Sequence, residues 1–285
     1  MDKELQSGML IVFATLCAIV VSNSAWAHVY EHFLHAEISM LFNDYGYHSS
    51  LLHFVNEGLM AIFFFHVGLE IKHSFVFGDL RGTKQRLLPA IAAMGGMIIP
   101  AIIYLHMTSD YQNASDGWAI PVATDIAFSL AFFMLFVKRL PPFLKIFLIS
   151  LATFDDMGAI VIIAAYYTGN LSYTLLFMTG IICLAMVMMA AFKKESIGVY
   201  ILLGFIMWCL VMESGVHATI AGILSAVLIP HTEGTRSRLE AIEKGLYTWV
   251  YFFILPLFAF LNAGVPLLKY SLTFVLSSPI FSAIA

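Results

Sequence analysis

Long apolar runs separated by short polar breaks make up most of this chain. A helix that crosses a bilayer needs about 20 mostly apolar residues, and the breaks are rich in Gly, Pro, Asn and charged residues, which favour turns. The pattern predicts about nine complete helices near 8–27, 51–71, 87–107, 117–138, 142–167, 171–192, 196–213, 215–230 and 247–264, and part of a tenth from about 270 to 285.

The composition indicates the class of protein. Hydrophobic residues make up 61% of the chain and charged residues 11%, and the mean hydropathy is +0.90. A soluble domain would carry about 25% charged residues. We therefore predict an all-α polytopic membrane protein in which residues 1–285 form a single transmembrane domain surrounded by lipid. The three cysteines lie in apolar runs without paired spacing, so they suggest neither a disulfide framework nor a zinc site.

The basic residues predict the orientation of the chain, because Lys and Arg concentrate in cytoplasmic loops. The N-terminus and the second, fourth, sixth and eighth breaks, with the adjoining helix ends, hold all of the Lys and Arg residues except Lys269. The N-terminus is therefore predicted to be cytoplasmic. The first loop, residues 28–50, is then external, and it contains no Lys or Arg.

Two adjacent carboxylates, Asp155 and Asp156, interrupt the fifth apolar run near its middle. A charge at the centre of a bilayer costs roughly 2.5–3.5 kcal/mol on insertion scales. Neighbouring residues of a helix point about 100° apart, so the two side chains would line two sides of one cavity. A buried ion pair is the structural alternative, but no Lys or Arg is predicted within a membrane core, so its partner would have to come from elsewhere.

The fourth run carries a further acid at similar depth, in the sequence WAIPVATDIAFSL. Pro121 lacks a backbone donor and leaves a carbonyl free nearby, and Thr124 and Asp125 add oxygen atoms just beyond it. Proline alone would indicate a kink. Combined with an acid at this depth, it favours a broken helix, since discontinuous helices build ion sites near the middle of the membrane.

The oxygen-rich chemistry of these residues suggests which ions they bind. Carboxylate, hydroxyl and carbonyl oxygens suit hard cations. A buried carboxylate beside a second acid also holds a proton more tightly than one in water does. One site could therefore take up either a proton or a cation near neutral pH, and competition for it with alternating access is sufficient for exchange.

Three other polar residues leave two interpretations open. Glu57, at the external end of the second helix, could reach the interface or have a functional role. Glu70 lies at the predicted cytoplasmic end of the same helix, where a solvated carboxylate is the alternative. His217 could cap the eighth helix or act as a pH sensor, because histidine titrates near neutrality.

Several of these stretches together resemble one family, the NhaA-type sodium/proton antiporters of bacterial inner membranes. The runs that carry the resemblance are NEGLMAIFFFHVGLEIK, LLPAIAAMGGMIIPA, GWAIPVATDIAFSLA, LPPFLKIFLISLATFDDMGAIVIIAAYYT, GVHATIAG and ILPLFAFLNAGV. The resemblance extends from about residue 8 to the last residue. It implies the antiporter fold of that family, with a broken fourth helix and with inverted repeats, which are a known property of the family.

The resemblance also implies roles for particular residues. Asp156 corresponds to the principal ion ligand, and Asp155 beside it takes part in the proton and cation step. Thr124 and Asp125 correspond to the unwound part of the fourth helix. Glu70, His217 and Glu243 correspond to positions tied to the pH response or the cytoplasmic funnel.

The activity implied by the resemblance is pH-regulated expulsion of Na+ or Li+ in exchange for entering protons across the inner membrane. It needs no cofactor and is not an enzymatic reaction. The loop at 28–50 resembles a dimer-contact region, which suggests a homodimer, and we expect no nucleic-acid partner.

Two departures from the family pattern lead to further expectations. Lys72, His73 and Ser74 stand where the family has a basic patch, which changes the detail of pH sensing. The chain also ends before the family's functional lysine and second broken helix, so we expect a truncated antiporter that is inactive alone. The alternative is a non-transporting fragment that associates with a full-length partner. An intramembrane aspartyl protease is disfavoured, because the Gly-x-Gly-Asp pattern expected around its dyad is missing.

Overall fold

The structure is a computed structural model, and most of the residues that it describes are helical. It describes residues 3–42, 45–77, 82–111, 114–122, 171–194, 196–230 and 232–267, together with 144, 147, 148, 150, 151, 154, 155, 158, 159, 161, 162, 166, 280 and 281. The chain divides into two compact units. The first unit contains Met1–Met9, Asp79–Ala165 and Pro266–Ala285, and the second contains Leu10–Gly78 and Tyr166–Val265.

Helical segments cover most of six predicted runs, namely 8–27, 51–71, 87–107, 171–192, 196–213 and 215–230. A longer helical stretch, from Glu233 to Asn262, covers most of a seventh run, 247–264. In chain order the described elements are α1 (Lys3–Ser22), α2 (Ala27–Leu34), β1 (Glu37–Phe42), β2 (Tyr45–Ser50), α3 (Leu51–Phe54), a π-helical turn (Val55–Leu59), α4 (Met60–Val76), α5 (Thr83–Thr108), a 3-10 helix (Ser115–Val122), α6 (Tyr173–Ala191), α7 (Ile197–Met212), α8 (Thr219–Leu228), α9 (Glu233–Trp249), a second π-helical turn (Val250–Ile254) and α10 (Leu255–Asn262).

Four helical stretches of the described residues are long and apolar enough to cross a membrane. They are Leu51–Val76, Leu87–Thr108, Tyr173–Ala191 and Arg238–Asn262. The pair Gln6–Ser22 and Ala27–Leu34, bent by 117°, adds a fifth if it forms one broken span, and two apolar helices, Ile197–Met212 and Thr219–Leu228, are shorter. Much of the apolar surface is exposed on α5, α6 and α7, as expected for helices that face lipid. The chain is therefore a helical, multi-pass membrane protein.

The loop at 28–50 contains secondary structure that the hydrophobic pattern did not predict. It begins with α2, and β1 then pairs antiparallel with β2, with Glu37 opposite Ser50 and Phe42 opposite Tyr45. The all-α class therefore holds for the helical majority of the described residues and not for this hairpin. The hairpin was missed because each of its strands has only six residues, too few to stand out beside 20-residue apolar runs.

The helix that leads into the ninth predicted span begins well before the expected start near residue 247. Residues 231–246 lie between the predicted eighth and ninth spans, where a break is expected, but α9 starts at Glu233. The backbone N–H of Thr232 donates to Thr235 Oγ1 at 2.9 Å, which is half of a capping arrangement. Leu239, Ile242 and Leu246 then recur at helical spacing on the packed side. The prediction of a break was wrong because charged residues on the other face of an amphipathic helix resemble a loop.

The core of the second unit lies where α4 and α8 pack closely together. A Cβ atom added at Gly222 would lie 2.2 Å from the carbonyl oxygen of Ala61, and one at Gly68 would lie 2.7 Å from Ala226 Cβ. Because the earlier residue of α4 meets the earlier residue of α8, the two helices run parallel. The missing side chains let the two backbones approach, as small residues do in membrane helix pairs. Large buried residues of α6 and α7, among them Met186, Tyr200 and Met207, complete this core.

In the first unit, α5 packs against the 3-10 helix that opens the fourth predicted run. Tyr104 is fully buried and its hydroxyl donates to the carbonyl of Ala114 at 2.9 Å. Pro121 lies within the 3-10 helix, which ends at Val122. The continuation of this run, most of the fifth run and the predicted tenth helix lie outside the described residues, apart from the scattered positions given above.

Candidate functional site

Of the four residues predicted to bind the transported ion, the structure describes one, Asp155. Thr124, Asp125 and Asp156 lie outside the described residues. Asp155 belongs to a helical stretch of the first unit and is 5% exposed. The prediction that this carboxylate is buried within a helix is therefore confirmed, and its role as a ligand stays a prediction.

The surroundings of Asp155 are tightly packed. Three residues on, Gly158 approaches α5 so closely that an added Cβ atom would lie 2.3 Å from the sulfur of Met97. Ser150, five residues before Asp155, is also buried. The Asp155 carboxylate therefore has little access to bulk water.

The three residues predicted to take part in the pH response lie in the second unit, and they do not form one cluster. Glu70 lies in the second half of α4, and Glu243 lies in α9. His217 instead precedes α8 and contacts Glu57. Thirteen residues separate Glu57 from Glu70 along one helical stretch, which corresponds to about 20 Å at 1.5 Å per residue. The structure therefore places His217 apart from Glu70.

At the Glu70 end of α4, acidic and basic side chains of two helices meet. His73 Nε2 lies 3.6 Å from Glu240 Oε1, and both side chains are 30% exposed. Glu243 follows Glu240 by three residues on α9 and feels the charges of both residues of this pair. Deeper along α4, His66 is 2% exposed and packs against Tyr247 of α9 and Tyr251 of the second π-helical turn. Glu240 was not predicted to be functional, because its place on a charged helix face makes it indistinguishable in sequence from its neighbours.

Lys72, a residue of α4, contacts the C-terminal end of α8. Its Nζ donates hydrogen bonds to the carbonyls of Val227 and Ile229. These are among the last carbonyls of a helix, which have no partner within the helix, and a cation there also matches the negative end of the helix dipole. Lys72 was noted in the sequence only as a departure from the family's basic patch. Its contacts make it part of the packing between α4 and α8.

Glu57 contacts the opposite, N-terminal end of α8. Its Oε2 accepts a hydrogen bond from the backbone N–H of Ala218 at 2.7 Å, and its Oε1 lies 2.9 Å from His217 Nδ1, which must donate to it. Glu57 itself belongs to the π-helical turn, and the indole N–H of Trp208 donates to its carbonyl at 2.9 Å. Of the two interpretations left open for Glu57, the structure favours a specific contact over exposure at an interface, since its side chain is 14% exposed.

The contact with Glu57 changes the acidity of His217, which lies in the turn between α7 and α8, outside both helices. The hydrogen bond to the carboxylate raises the pKa of the imidazole above 6.5, and the attraction between the two charges raises it further, while partial burial acts in the opposite direction. The side chain of His217 is 41% exposed. The imidazolium form is therefore favoured while Glu57 is ionised.

The signal that pointed to Glu57 in the sequence was an acid within an apolar run, next to Asn56. The partner could not be identified, because His217 follows 160 residues later. Asn56 has a distant partner too, since its side-chain amide and that of Asn262 donate to each other at 3.2 and 3.0 Å.

A compact metal centre is not found in the part of the chain that the structure describes, where no group of three or more His, Cys, Asp or Glu side chains could hold a metal ion. Asp125 and Asp156 lie outside that part, so this finding does not bear on the predicted ion site. The described residues include a buried carboxylate, Asp155, in the first unit. In the second unit, charged side chains from a neighbouring helical stretch contact both ends of the short helix α8.

A family comparison covers the whole chain. A protein-family model described as Na+/H+ antiporter 1 matches residues 1–285. This match includes every residue predicted to bind the transported ion or to respond to pH.

Individual relatives show substantial identity. A protein of a Nitratiruptor species named Na(+)/H(+) antiporter NhaA is 44% identical over 277 residues, which are 96% of this chain and 71% of the relative. A Psychrobacter arcticus protein of the same name is 43% identical over 269 residues, covering 93% of this chain and 67% of the relative. A third, from Yersinia pseudotuberculosis serotype O:3, is 42% identical over 275 residues, with 95% and 69% covered.

Proposed function

The chain belongs to the Na+/H+ antiporter 1 family, and from this premise we propose that it exchanges Na+ or Li+ for H+ across a bacterial inner membrane. The observation that carries the proposal is the match over all 285 residues, with relatives at 42–44% identity that are named Na+/H+ antiporters. The buried position of Asp155 supports it. Exchange of this kind is transport and makes no use of a cofactor or of enzymatic chemistry.

The proposed ion site consists of Asp155 and Asp156, with Thr124 and Asp125 contributed by a broken fourth helix. The 3-10 geometry of Ser115–Val122, which contains Pro121, supports an irregular start of that helix. Protons and cations compete for the carboxylates, and alternating access then couples their movements. Within the same proposal the protein has the antiporter fold of the family, with about nine complete helices and part of a tenth in one transmembrane domain.

The proposed arrangement in the membrane follows the distribution of basic residues. The N-terminus faces the cytoplasm, so residues 28–50 lie on the outer side, and the hairpin there is the proposed contact between two copies of the chain. Deleting residues 37–50 is expected to convert a homodimer in detergent into a monomer. Light scattering of the purified protein measures this, and an unchanged mass would contradict the dimer contact.

Transport is tested in proteoliposomes that contain a pH-sensitive dye. Addition of Na+ or Li+ to vesicles with an imposed proton gradient is expected to dissipate that gradient. Asp155→Asn and Asp156→Asn are expected to abolish the response, because an amide cannot exchange a proton for a cation. Asp110→Asn is the matched control, since it makes the same change at an exposed turn of the first unit and is expected to leave the response intact.

The same assay addresses the fragment alternative. The chain is tested alone and fused to the part of the Nitratiruptor relative that lies outside the match. Response of either form to Na+ or Li+, lost in Asp156→Asn, supports the exchange function. If neither form responds to Na+ or Li+, the exchange function is refuted.

A further inference from the structure

Two exposed histidines lie side by side on α2, a helix to which the proposed exchange function gives no role. His28 and His32 are four residues apart, so their side chains leave the same face of the helix. Their imidazole rings are in edge-to-face contact, with centroids 4.4 Å apart and planes inclined by 66°. Both residues are exposed. A nitrogen of each ring can therefore approach one ion that arrives from solvent.

The helix that carries this pair is anchored through its opposite face. Tyr30 points to nearly the other side of α2, because it lies two residues from each histidine. It is buried, and its hydroxyl donates to the carbonyl of Phe260 at 2.5 Å. A Cβ atom added at Gly264 would lie 2.2 Å from the Tyr30 ring. These contacts do not involve the histidines, so they fix the helix and leave the histidine face to solvent.

The turn before α2 is attached to the same part of the chain. The side-chain amide of Asn23 donates to the carbonyl of Val265 at 2.8 Å, and the hydroxyl of Ser22 donates to the same carbonyl at 3.3 Å. Two successive attachments therefore define where α2 begins and how it is rotated. A pair of ligands on a helix held in this way is largely preorganised, which lowers the cost of binding.

The chemistry of the pair indicates the class of ion that it would bind. Imidazole nitrogens suit Zn²⁺, Cu²⁺ and Ni²⁺, whereas Na+ and Li+ are hard cations that prefer oxygen. Two histidines four residues apart on one helix face are also the spacing by which helical metal sites supply two ligands. The alternative is a contact between two aromatic rings without a bound ion, and the measurements below distinguish the two.

Further protein ligands are not required for such a site. Glu31 and His35 share the face of His28 and His32 by helical register. Among the residues that the structure describes, however, no group of three or more potential ligands could hold a metal ion. Water molecules would therefore fill the other coordination positions, as they do where a metal keeps open positions.

We propose that His28 and His32 form a surface site for a divalent transition-metal ion, which binds one nitrogen of each ring. The bound ion bridges two successive turns of α2 and stabilises the helix by mass action. The site is separate from the proposed exchange site, whose ligands are carboxylates. In the proposed membrane arrangement α2 lies on the outer side, so the ion reaches it from outside the cell membrane.

Calorimetric titration of Zn²⁺ into the tag-free protein in detergent provides the first test. It is performed at about pH 7.5, because a ligating imidazole must be deprotonated. One Zn²⁺ per chain is expected to bind to the pair. His28→Asn and His32→Asn are each expected to weaken this binding roughly 100-fold, since the remaining imidazole then binds without an intramolecular partner. Equal affinity of the intact chain and both variants would overturn the proposal.

Two controls separate the geometry of the pair from the number of histidines. His106→Asn removes another exposed histidine, in the last turn of α5, and is expected to leave the affinity unchanged. His32→Asn combined with Phe33→His keeps ten histidines but moves one away from the face of His28. This variant is expected to bind as weakly as His32→Asn, and binding as tight as that of the intact chain would overturn the proposal.

Competition with Na+ tests whether Zn²⁺ occupies the proposed exchange site instead. Excess Na+ at constant ionic strength is not expected to displace Zn²⁺ from two nitrogen ligands, and Asp156→Asn is expected to bind Zn²⁺ as the intact chain does. Displacement by Na+, or loss of binding in Asp156→Asn, would place the ion among the carboxylates and overturn the proposal. None of these measurements requires transport, so failure of exchange and failure of this site are distinguishable.

The electron paramagnetic resonance spectrum of bound Cu²⁺ reports the ligands directly. Coupling to nitrogen from two imidazoles is expected in the intact chain and from one in His32→Asn. Hydrogen exchange gives a second readout, because Zn²⁺ is expected to slow exchange of the α2 amides in the intact chain and not in His32→Asn. Both histidines are exposed, so the variants are expected to fold; if one does not, the other decides. A copper spectrum of the intact chain without coupling to two nitrogens overturns the proposal.

Discussion

The two ends of α8 are held by opposite charges, and the two contacts differ in kind. At the C-terminal end Lys72 donates to two backbone carbonyls, which do not titrate. At the N-terminal end Glu57 binds a backbone N–H and a histidine that titrates near neutrality. One helix therefore has one end held through its backbone carbonyls and another end whose contact includes a histidine side chain. The difference shows how a short helix can be loosened at one end while it stays attached at the other.

The largest expected loss of stability comes from a change in the interior of α8, where it packs on α4. Gly222→Val would place a side chain where even a Cβ atom lies 2.2 Å from the carbonyl oxygen of Ala61. Overpacking of this kind is expected to cost about 3 kcal/mol of unfolding free energy and to separate α8 from α4. Gly180→Val in α6 makes the same change where no atom lies within 4 Å.

Thermal unfolding of both glycine variants in detergent gives the comparison. The Gly222 variant is expected to unfold at a much lower temperature than the Gly180 variant. Equal shifts for the two would mean that the change measures the poor helix propensity of valine and not the contact between the helices.

Loss of the Lys72 contact at the C-terminal end of α8 is expected to have the next largest effect on stability. Lys72→Met keeps much of the apolar stem and removes the ammonium group, which leaves the carbonyls of Val227 and Ile229 without this donor. A hydrogen bond to a charged group contributes about 2 kcal/mol, and Ile229 is fully buried, so water is a poor substitute. Thermal unfolding at pH 6 is expected to show this loss.

Lys194→Met is the control, because Lys194 is exposed after the end of α6. It is expected to change stability little in the same measurement. A loss for Lys72→Met no greater than that for Lys194→Met would show that the contacts at the end of α8 contribute nothing measurable.

The support behind Glu57 should have a smaller effect. Trp208→Phe keeps an aromatic ring and removes the indole N–H that donates to the carbonyl of Glu57. Loss of one hydrogen bond between neutral groups is expected to cost about 1 kcal/mol. Trp249→Phe removes an indole N–H from a side chain that is 65% exposed, and it is expected to be near neutral in the same unfolding measurement. Equal losses would rule out a specific contribution from the Trp208 contact.

The smallest expected effect is the dependence of stability on pH at the N-terminal end. Because the folded protein raises the pKa of His217, the pair stabilises fully below the ordinary histidine value near 6.5 and loses this contribution as the pH rises through the raised value. The imidazole is 41% exposed, so solvent screening limits the contribution to about 0.5 kcal/mol. The difference in stability between the intact chain and His217→Asn is expected to shrink over this interval, and a constant difference would contradict the assignment.

The helices predicted most closely from the sequence are those formed by long apolar runs. An apolar run of about 20 residues has few alternatives in lipid, and the helices at Leu51–Val76 and Tyr173–Ala191 follow the predicted runs closely. Where residues lie outside lipid, polarity no longer distinguishes a loop from an amphipathic helix or a hairpin. For this reason the start of α9 at Glu233 and the hairpin at 37–50 were missed.

The candidate sites divide in a similar way. A buried acid such as Asp155 can be predicted, because a charge in an apolar run is unusual whatever its partner is. The pairing of Glu57 with His217 could not be predicted, because it depends on how two helices 160 residues apart pack through glycines. The ligand roles of Thr124, Asp125 and Asp156 depend on packing of the same kind and stay predictions.

The uninterrupted helical course from Glu233 to Asn262, through α9, the second π-helical turn and α10, is longer than the hydrocarbon layer of a bilayer. Thirty residues extend about 45 Å at 1.5 Å each, against about 30 Å for that layer. For a helix near the membrane normal, some ten residues extend beyond this layer, and the charged beginning of the helix is the part suited to water. Reagents confined to the water on that side of the membrane should reach its first turns, so that labelling there would report the sidedness of the protein in intact vesicles.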